Sequence, residues 1–125
     1  MKKIISTKNA PAAIGPYSQA TETGGLLFIS GQLPIDPATG AMAPAEIKAQ
    51  TEAVIKNLAA ILKEEGLGLE HIVKTTVFMA DLSQFAQMNE VYAKFFAVDA
   101  PARATVEVKA LPKAALVEIE AIAAR

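Results

Sequence analysis

A lone arginine, Arg103, stands inside "PARATVEV", and a glutamate, Glu118, inside "ALVEIEAIA" fifteen residues later. Both stretches alternate apolar and polar residues, so both read as strands whose side chains point to two faces in turn. On the first, Arg103, Thr105 and Glu107 share one face, while Ala104, Val106 and Val108 share the other. If the first face is covered, the guanidinium needs an anion, since stripping an unpaired charge of water costs on the order of several kcal/mol. Two chemistries would satisfy it. One is a cross-strand ion pair with Glu118. The other is a planar clamp for a ligand carboxylate, which leaves Glu118 free for acid–base work. Periodicity leaves both open.

The other candidates have plainer readings. Tyr17, after Gly15-Pro16 in "IGPYSQA", reads as a loop tyrosine that packs its ring and solvates its hydroxyl. Ser30 ends an apolar strand before Gly31, which marks a turn, and no G-x-S-x-G elbow is present. Asn89 falls in a helical stretch where it can face water. His71 is the one histidine and follows "GLGLE" in what reads as an exposed connection. No cluster of histidines and carboxylates has metal-ligand spacing, and no glycine-rich phosphate loop precedes a helix. Cysteine is absent, which excludes disulfides, thiolate metal sites and a cysteine nucleophile together.

These residues must be held by the elements around them. Gly24-Gly25 between "SQATET" and "LLFIS" suits a tight hairpin, and the second arm, Leu26 to Ile29, is apolar on both faces. The turn-rich "SGQLPIDPATG" leads into a long amphipathic helix with Ile47, Thr51, Val54, Leu58 and Ile61 at helical spacing and Gly66 as its stop. "HIVKTTVFMA" reads as a strand rich in β-branched residues. A second helix follows, with Asp81 as N-cap, Gln84 three residues on, and Phe85, Met88, Tyr92 and Phe95 down one side. Residues 103–109 and 115–123 read as a terminal hairpin. The order β, β, β, α, β, α, β, β packs as one mixed sheet with both helices on one face, leaving the opposite face uncovered by the chain itself.

Composition fits one domain spanning residues 1–125. Apolar residues, counted with glycine and without tyrosine, make up about 56 % of the chain against a usual 45–50 %. The excess points to oligomerisation. A net charge of −1 with mixed lysines and acids carries no footprint for a polyanion, so nucleic acid is not an expected partner. "MKKIISTKNAP" lacks the apolar run of a signal peptide, and no run approaches a membrane span, so a cytoplasmic protein with no membrane partner is expected.

Taken together, "NAPAAIGPYSQA", "FISGQLPIDPATG", "IVKTTVFMADLSQFAQMNEVYAKFF", "PARATVEV" and "ALPKAALVEIEAIA" resemble, in order and spacing, the reactive-intermediate deaminases (RidA, formerly YjgF). The resemblance covers essentially the whole chain. It implies an α+β, chorismate-mutase-like fold assembled as a homotrimer, with sheets facing inward and active sites in clefts between subunits. It implies that Arg103 binds a substrate carboxylate, helped by the backbone of Ala104 and Thr105, and that Glu118 positions or activates water. Tyr17 would close the pocket from the neighbouring subunit, and Ser30 and Asn89 would line it. Many bacterial members carry cysteine where this chain has Thr105; a backbone contact there survives the change, while thiol-based regulation does not. The implied reaction is hydrolysis of 2-aminoacrylate and related enamines or imines, released by pyridoxal-phosphate enzymes, to 2-oxo acids and ammonia. No metal or organic cofactor is required. A non-catalytic sensor that binds 2-oxo acids through the same arginine is the alternative. RNA cleavage or translation inhibition, ascribed to some relatives, fits the acidic composition poorly.

Overall fold

The computed structural model describes residues Met1–Arg125. In chain order the elements are β1 (Lys3–Ile5), β2 (Ala20–Thr23), β3 (Leu26–Gln32), α1 (Ile47–Glu64), β4 (Ile72–Met79), α2 (Phe85–Phe95), β5 (Ala102–Glu107) and β6 (Val117–Ala124). The strands form a six-stranded sheet in the order β1-β2-β3-β6-β4-β5. Every neighbouring pair is antiparallel except β4 and β5, which makes the sheet mixed.

The β2–β3 hairpin turns at Gly24 and Gly25, with φ of +58° and +80°, a left-handed pair that side chains resist. The terminal hairpin expected from alternation does not form. β6 runs between β3 and β4, and β4 separates it from β5. The physical reason lies in α2: the helix carries the chain from the end of β4 back to its start, so β5 joins β4 in parallel. Alternation identifies a strand but not its partner. β6 is suited to the centre because Val117, Ile119, Ala121 and Ala123, all buried, place small and medium apolar groups beneath α1.

Both helices lie on that same face. α1 is capped by the Glu46 carboxylate, which accepts from Lys48 N at 3.0 Å, and buries Ile47, Thr51, Val54, Leu58 and Ile61 as the spacing predicts. The four apolar ones join Met88, Tyr92 and Phe96 over Leu27, Ile29, Val77 and Ile119 in one apolar core. The start of α2 differs in detail from expectation. Asp81 caps a short 3-10 turn, accepting from Ser83 N at 2.9 Å, while Glu107 of β5 accepts from Leu82 N at 2.8 Å. Phe85 is not in the core stripe but on the surface, 38 % exposed.

The second sheet face has no cover within the chain. On it Phe28 is 41 % exposed, Ile4 53 % and Val106 41 %, alongside Thr76, Glu118 and Glu120. No helix is long and apolar enough to cross a membrane.

Candidate functional site

Strand parity separates the candidate residues into two groups. Arg103 aligns with Thr75 of β4, which in turn aligns with Ala121 of β6; Thr75 and Ala121 are buried on the helix face. Glu118 is an odd number of residues from Ala121 and therefore points to the uncovered face. Arg103 and Glu118 thus lie on opposite faces of the sheet with β4 between their strands, and the ion pair expected of a hairpin is absent.

The first group surrounds Arg103. Its Nη1 donates to Asn89 Oδ1 at 2.8 Å, so Asn89 does not simply face water. The guanidinium carbon lies 4.6 Å from the centroid of the Tyr92 ring and 5.5 Å from that of Phe85. This explains the displacement of Phe85: one face of α2 serves the core, and its edge presents aromatic surface to a cation. The Tyr92 hydroxyl shares a hydrogen bond with Thr75 Oγ1 at 2.7 Å, and burial pushes the Tyr92 pKa up. No carboxylate lies within ion-pair distance of Arg103. Neutral groups hold the guanidinium while its remaining N–H donors stay available to an outside anion. Asn89, Tyr92, Phe96, Pro101 and Arg103 line a depression here.

β5, which carries Arg103, is an edge strand, so some backbone groups near Ala104 and Thr105 point away from the ladder. The Thr105 side chain faces inward, its hydroxyl buried without a partner. What Thr105 can offer a ligand is therefore its backbone.

The second group surrounds Glu118. Tyr17, Ser30, Gly31 and Glu118 line one cleft of about 640 Å³, with Ile14, Lys113 and Glu120 on its walls. Burial, and secondarily the Glu120 charge, pushes the Glu118 pKa up from the ordinary carboxylate value. Its carboxylate has no protein hydrogen-bond partner and no ion pair, a state suited to a group that handles a proton or water. Ser30 donates its hydroxyl to the Ser18 carbonyl at 2.6 Å, which ties β3 to the loop. The Tyr17 hydroxyl accepts from Ile14 N at 3.4 Å, and the ring is 53 % exposed at the mouth of the cleft.

Sequence reasoning missed what holds that loop. Gln19 is buried, accepts from Thr7 N at 2.6 Å, and donates to the carbonyls of Thr7 at 3.0 Å, Ala10 at 3.3 Å and Pro11 at 2.8 Å. One amide thus fixes the segment that presents Tyr17. Tyr92 and Phe85 were also missed as functional neighbours, because helical spacing assigns both to the core. His71 stands outside both groups, its Nδ1 accepting from Gly68 N at 3.1 Å. No three potential ligands among His, Cys, Asp and Glu gather where a metal could bind.

Comparison with known proteins gives a consistent result. Residues 7–125 match the family model described as Endoribonuclease L-PSP. A RutC family protein of Pyrococcus horikoshii is 54 % identical over 98 % of this chain and 98 % of its own length. The mouse 2-iminobutanoate/2-iminopropanoate deaminase is 46 % identical over 98 % of this chain and 91 % of its own. The crystal structure of E. coli TdcF with bound serine superposes with a TM-score of 0.94 at 46 % identity, covering 98 % of both chains. The fold and these full-length likenesses agree: the chain belongs to the reactive-intermediate deaminase (RidA, YjgF-like) family.

Proposed function

We propose that this protein hydrolyses small enamines and imines, of the 2-aminoacrylate and 2-iminobutanoate type, to 2-oxo acids and ammonia. The observation that carries the reading is Arg103, held by Asn89 and two aromatic faces with no carboxylate of its own. A planar carboxylate would complete it through two parallel hydrogen bonds, which a lysine cannot offer. The deaminase name of the mouse relative and the serine bound to TdcF support a small amino-acid-like ligand.

In this reading the enamine tautomerises to the imine while its carboxylate rests on Arg103 and on backbone near Ala104 and Thr105. Glu118 takes a proton from water as the oxygen adds to the C=N carbon. It returns that proton to nitrogen to give the carbinolamine, then relays the new hydroxyl's proton to the same nitrogen; the C–N bond breaks as C=O forms, and ammonia leaves a 2-oxo acid. Positioned acid–base groups of this kind contribute about 10²- to 10⁴-fold.

The site works only if Arg103 and Glu118 meet, and the sheet of a single chain keeps them apart. We therefore place it between copies. The uncovered face of one protomer, with Tyr17, Ser30 and Glu118, meets the β5 edge of another, with Arg103 and Asn89, in a homotrimer. The cytoplasm, where pyridoxal-phosphate enzymes release such intermediates, is the proposed compartment.

The test is to generate 2-aminoacrylate in situ with a serine dehydratase and measure release of pyruvate and ammonia. Acceleration by this protein supports the reading. Binding of 2-oxobutanoate without acceleration would replace it with the sensor reading. RNA cleavage in place of both would return the family model's printed description to the foreground.

A further inference from the structure

Gly31 lies inside β3, where its own backbone does not call for glycine: its φ is outside the left-handed region that Gly15, Gly24, Gly25, Gly40 and Gly66 occupy. A glycine in a strand interior weakens the strand, and it marks either a bulge or a close approach. Both occur here. The register of β3 against β6 shifts between Ile29 and Gln32. Across that shift, the end of the Glu118 side chain occupies the space a side chain at residue 31 would fill. A Cβ placed on Gly31 would lie 2.9 Å from Glu118 Cδ and 3.2 Å from Cγ, and would overlap Oε2.

We infer that Gly31 is the positioning residue for Glu118: the bulge and the missing side chain together form a notch in β3 that seats the carboxyl group beside the cleft. The inference rests on the proposed role of Glu118 in handling water. Its physical basis is that no donor or cation of its own chain fixes this carboxylate. The polar contacts that usually orient a catalytic acid are absent, and shape takes their place. A methyl at residue 31 would meet the far end of a flexible side chain, so the fold can accommodate it by turning Glu118 out of the notch.

Gly31→Ala tests this directly. The variant is expected to keep the wild-type oligomer mass and melting midpoint and to bind 2-oxobutanoate. Its turnover of 2-aminoacrylate should fall about 10²-fold or more, the scale of losing one positioned acid–base group. A carboxyl NMR titration should show Glu118 returning toward the ordinary carboxylate range, because it has moved out toward water. The shorter arm of Glu118→Asp should lower turnover in the wild type yet raise it in Gly31→Ala, where it clears the methyl. Turnover of Gly31→Ala within about threefold of wild type, beside a large loss in Glu118→Gln, would overturn the notch and leave the proposed function standing. If wild type itself shows no turnover, the proposed function fails and the titration alone judges the notch: an unmoved Glu118 in Gly31→Ala overturns it.

Discussion

Arg103 is a cation whose protein partners are an amide and two ring faces, and that arrangement predicts how its substitutions behave. Arg103→Ala removes one hydrogen bond and two cation–π contacts, a loss of about 2–4 kcal/mol, and strands no buried acid. Excess 2-oxobutanoate should raise the melting midpoint of wild type and leave that of Arg103→Ala unmoved. Arg103→Lys should rescue little, since a point charge neither stacks on Tyr92 nor forks onto a carboxylate. A strongly destabilised Ala variant that still responds to ligand would refute the clamp. At Glu118 the sign runs the other way from a salt-bridged acid. Burial raises its folded-state pKa, so this carboxyl contributes stability below the ordinary carboxylate range that is lost as pH rises through the raised value. Glu118→Gln keeps a neutral group there, and its melting midpoint relative to wild type should rise as pH climbs through that window. These residue types were legible in the sequence, down to the face that Arg103 shares with Thr105. What holds them was not, because cation–π contacts and burial are made by distant elements.

At the scale of elements, the loop from Thr7 to Ser18 has no regular structure of its own and borrows its order from Gln19. Gln19→Ala leaves a buried amide and carbonyls unpaired, a cost of about 1–3 kcal/mol. Amide exchange should quicken across residues 7–17 while β3 and β6 stay protected, and the KM for the imine should rise as Tyr17 loses its place. Uniform loss of protection over the whole sheet would show that Gln19 supports the core instead. A lone glutamine in "GPYSQA" gives no periodic signal, so its role was hidden. α1 was legible nearly to the residue, because it announces itself by spacing and by Gly66, whereas α2 begins at Phe85, after a 3-10 turn that takes the cap expected of Asp81. The hairpin misreading has an equally physical source. β5 and β6 are neighbours in sequence, yet β4 lies between them, and which strand fills a gap in a sheet is decided by the helix that returns the chain.

For the whole molecule, the uncovered face sets the expectation. Its apolar groups, Phe28 among them, and the clefts on either side call for copies of the same chain. Light scattering should give a mass near three times 13.1 kDa. Phe28→Asp places a charge on an exposed strand position, so each protomer should fold while the assembly falls apart and turnover disappears with it. A folded monomer that keeps wild-type turnover would remove the shared site. The apolar excess points from composition alone to an assembly, but composition carries no geometry and cannot tell which faces would meet.

That a single chain carries Arg103 on one side of its sheet and Glu118 on the other has a consequence for mixtures of defective copies. On the proposed shared site, Arg103→Ala and Glu118→Gln, each expected to be inactive alone, would leave opposite halves of the cleft intact. Refolded together in equal amounts, they would combine at random, and about a quarter of the clefts would pair an undamaged arginine with an undamaged glutamate. Activity should return to about that fraction of wild type, while a chain bearing both substitutions would poison clefts on both its sides. In a cell with two gene copies, such a double variant would behave as dominant, and the two single variants would complement each other.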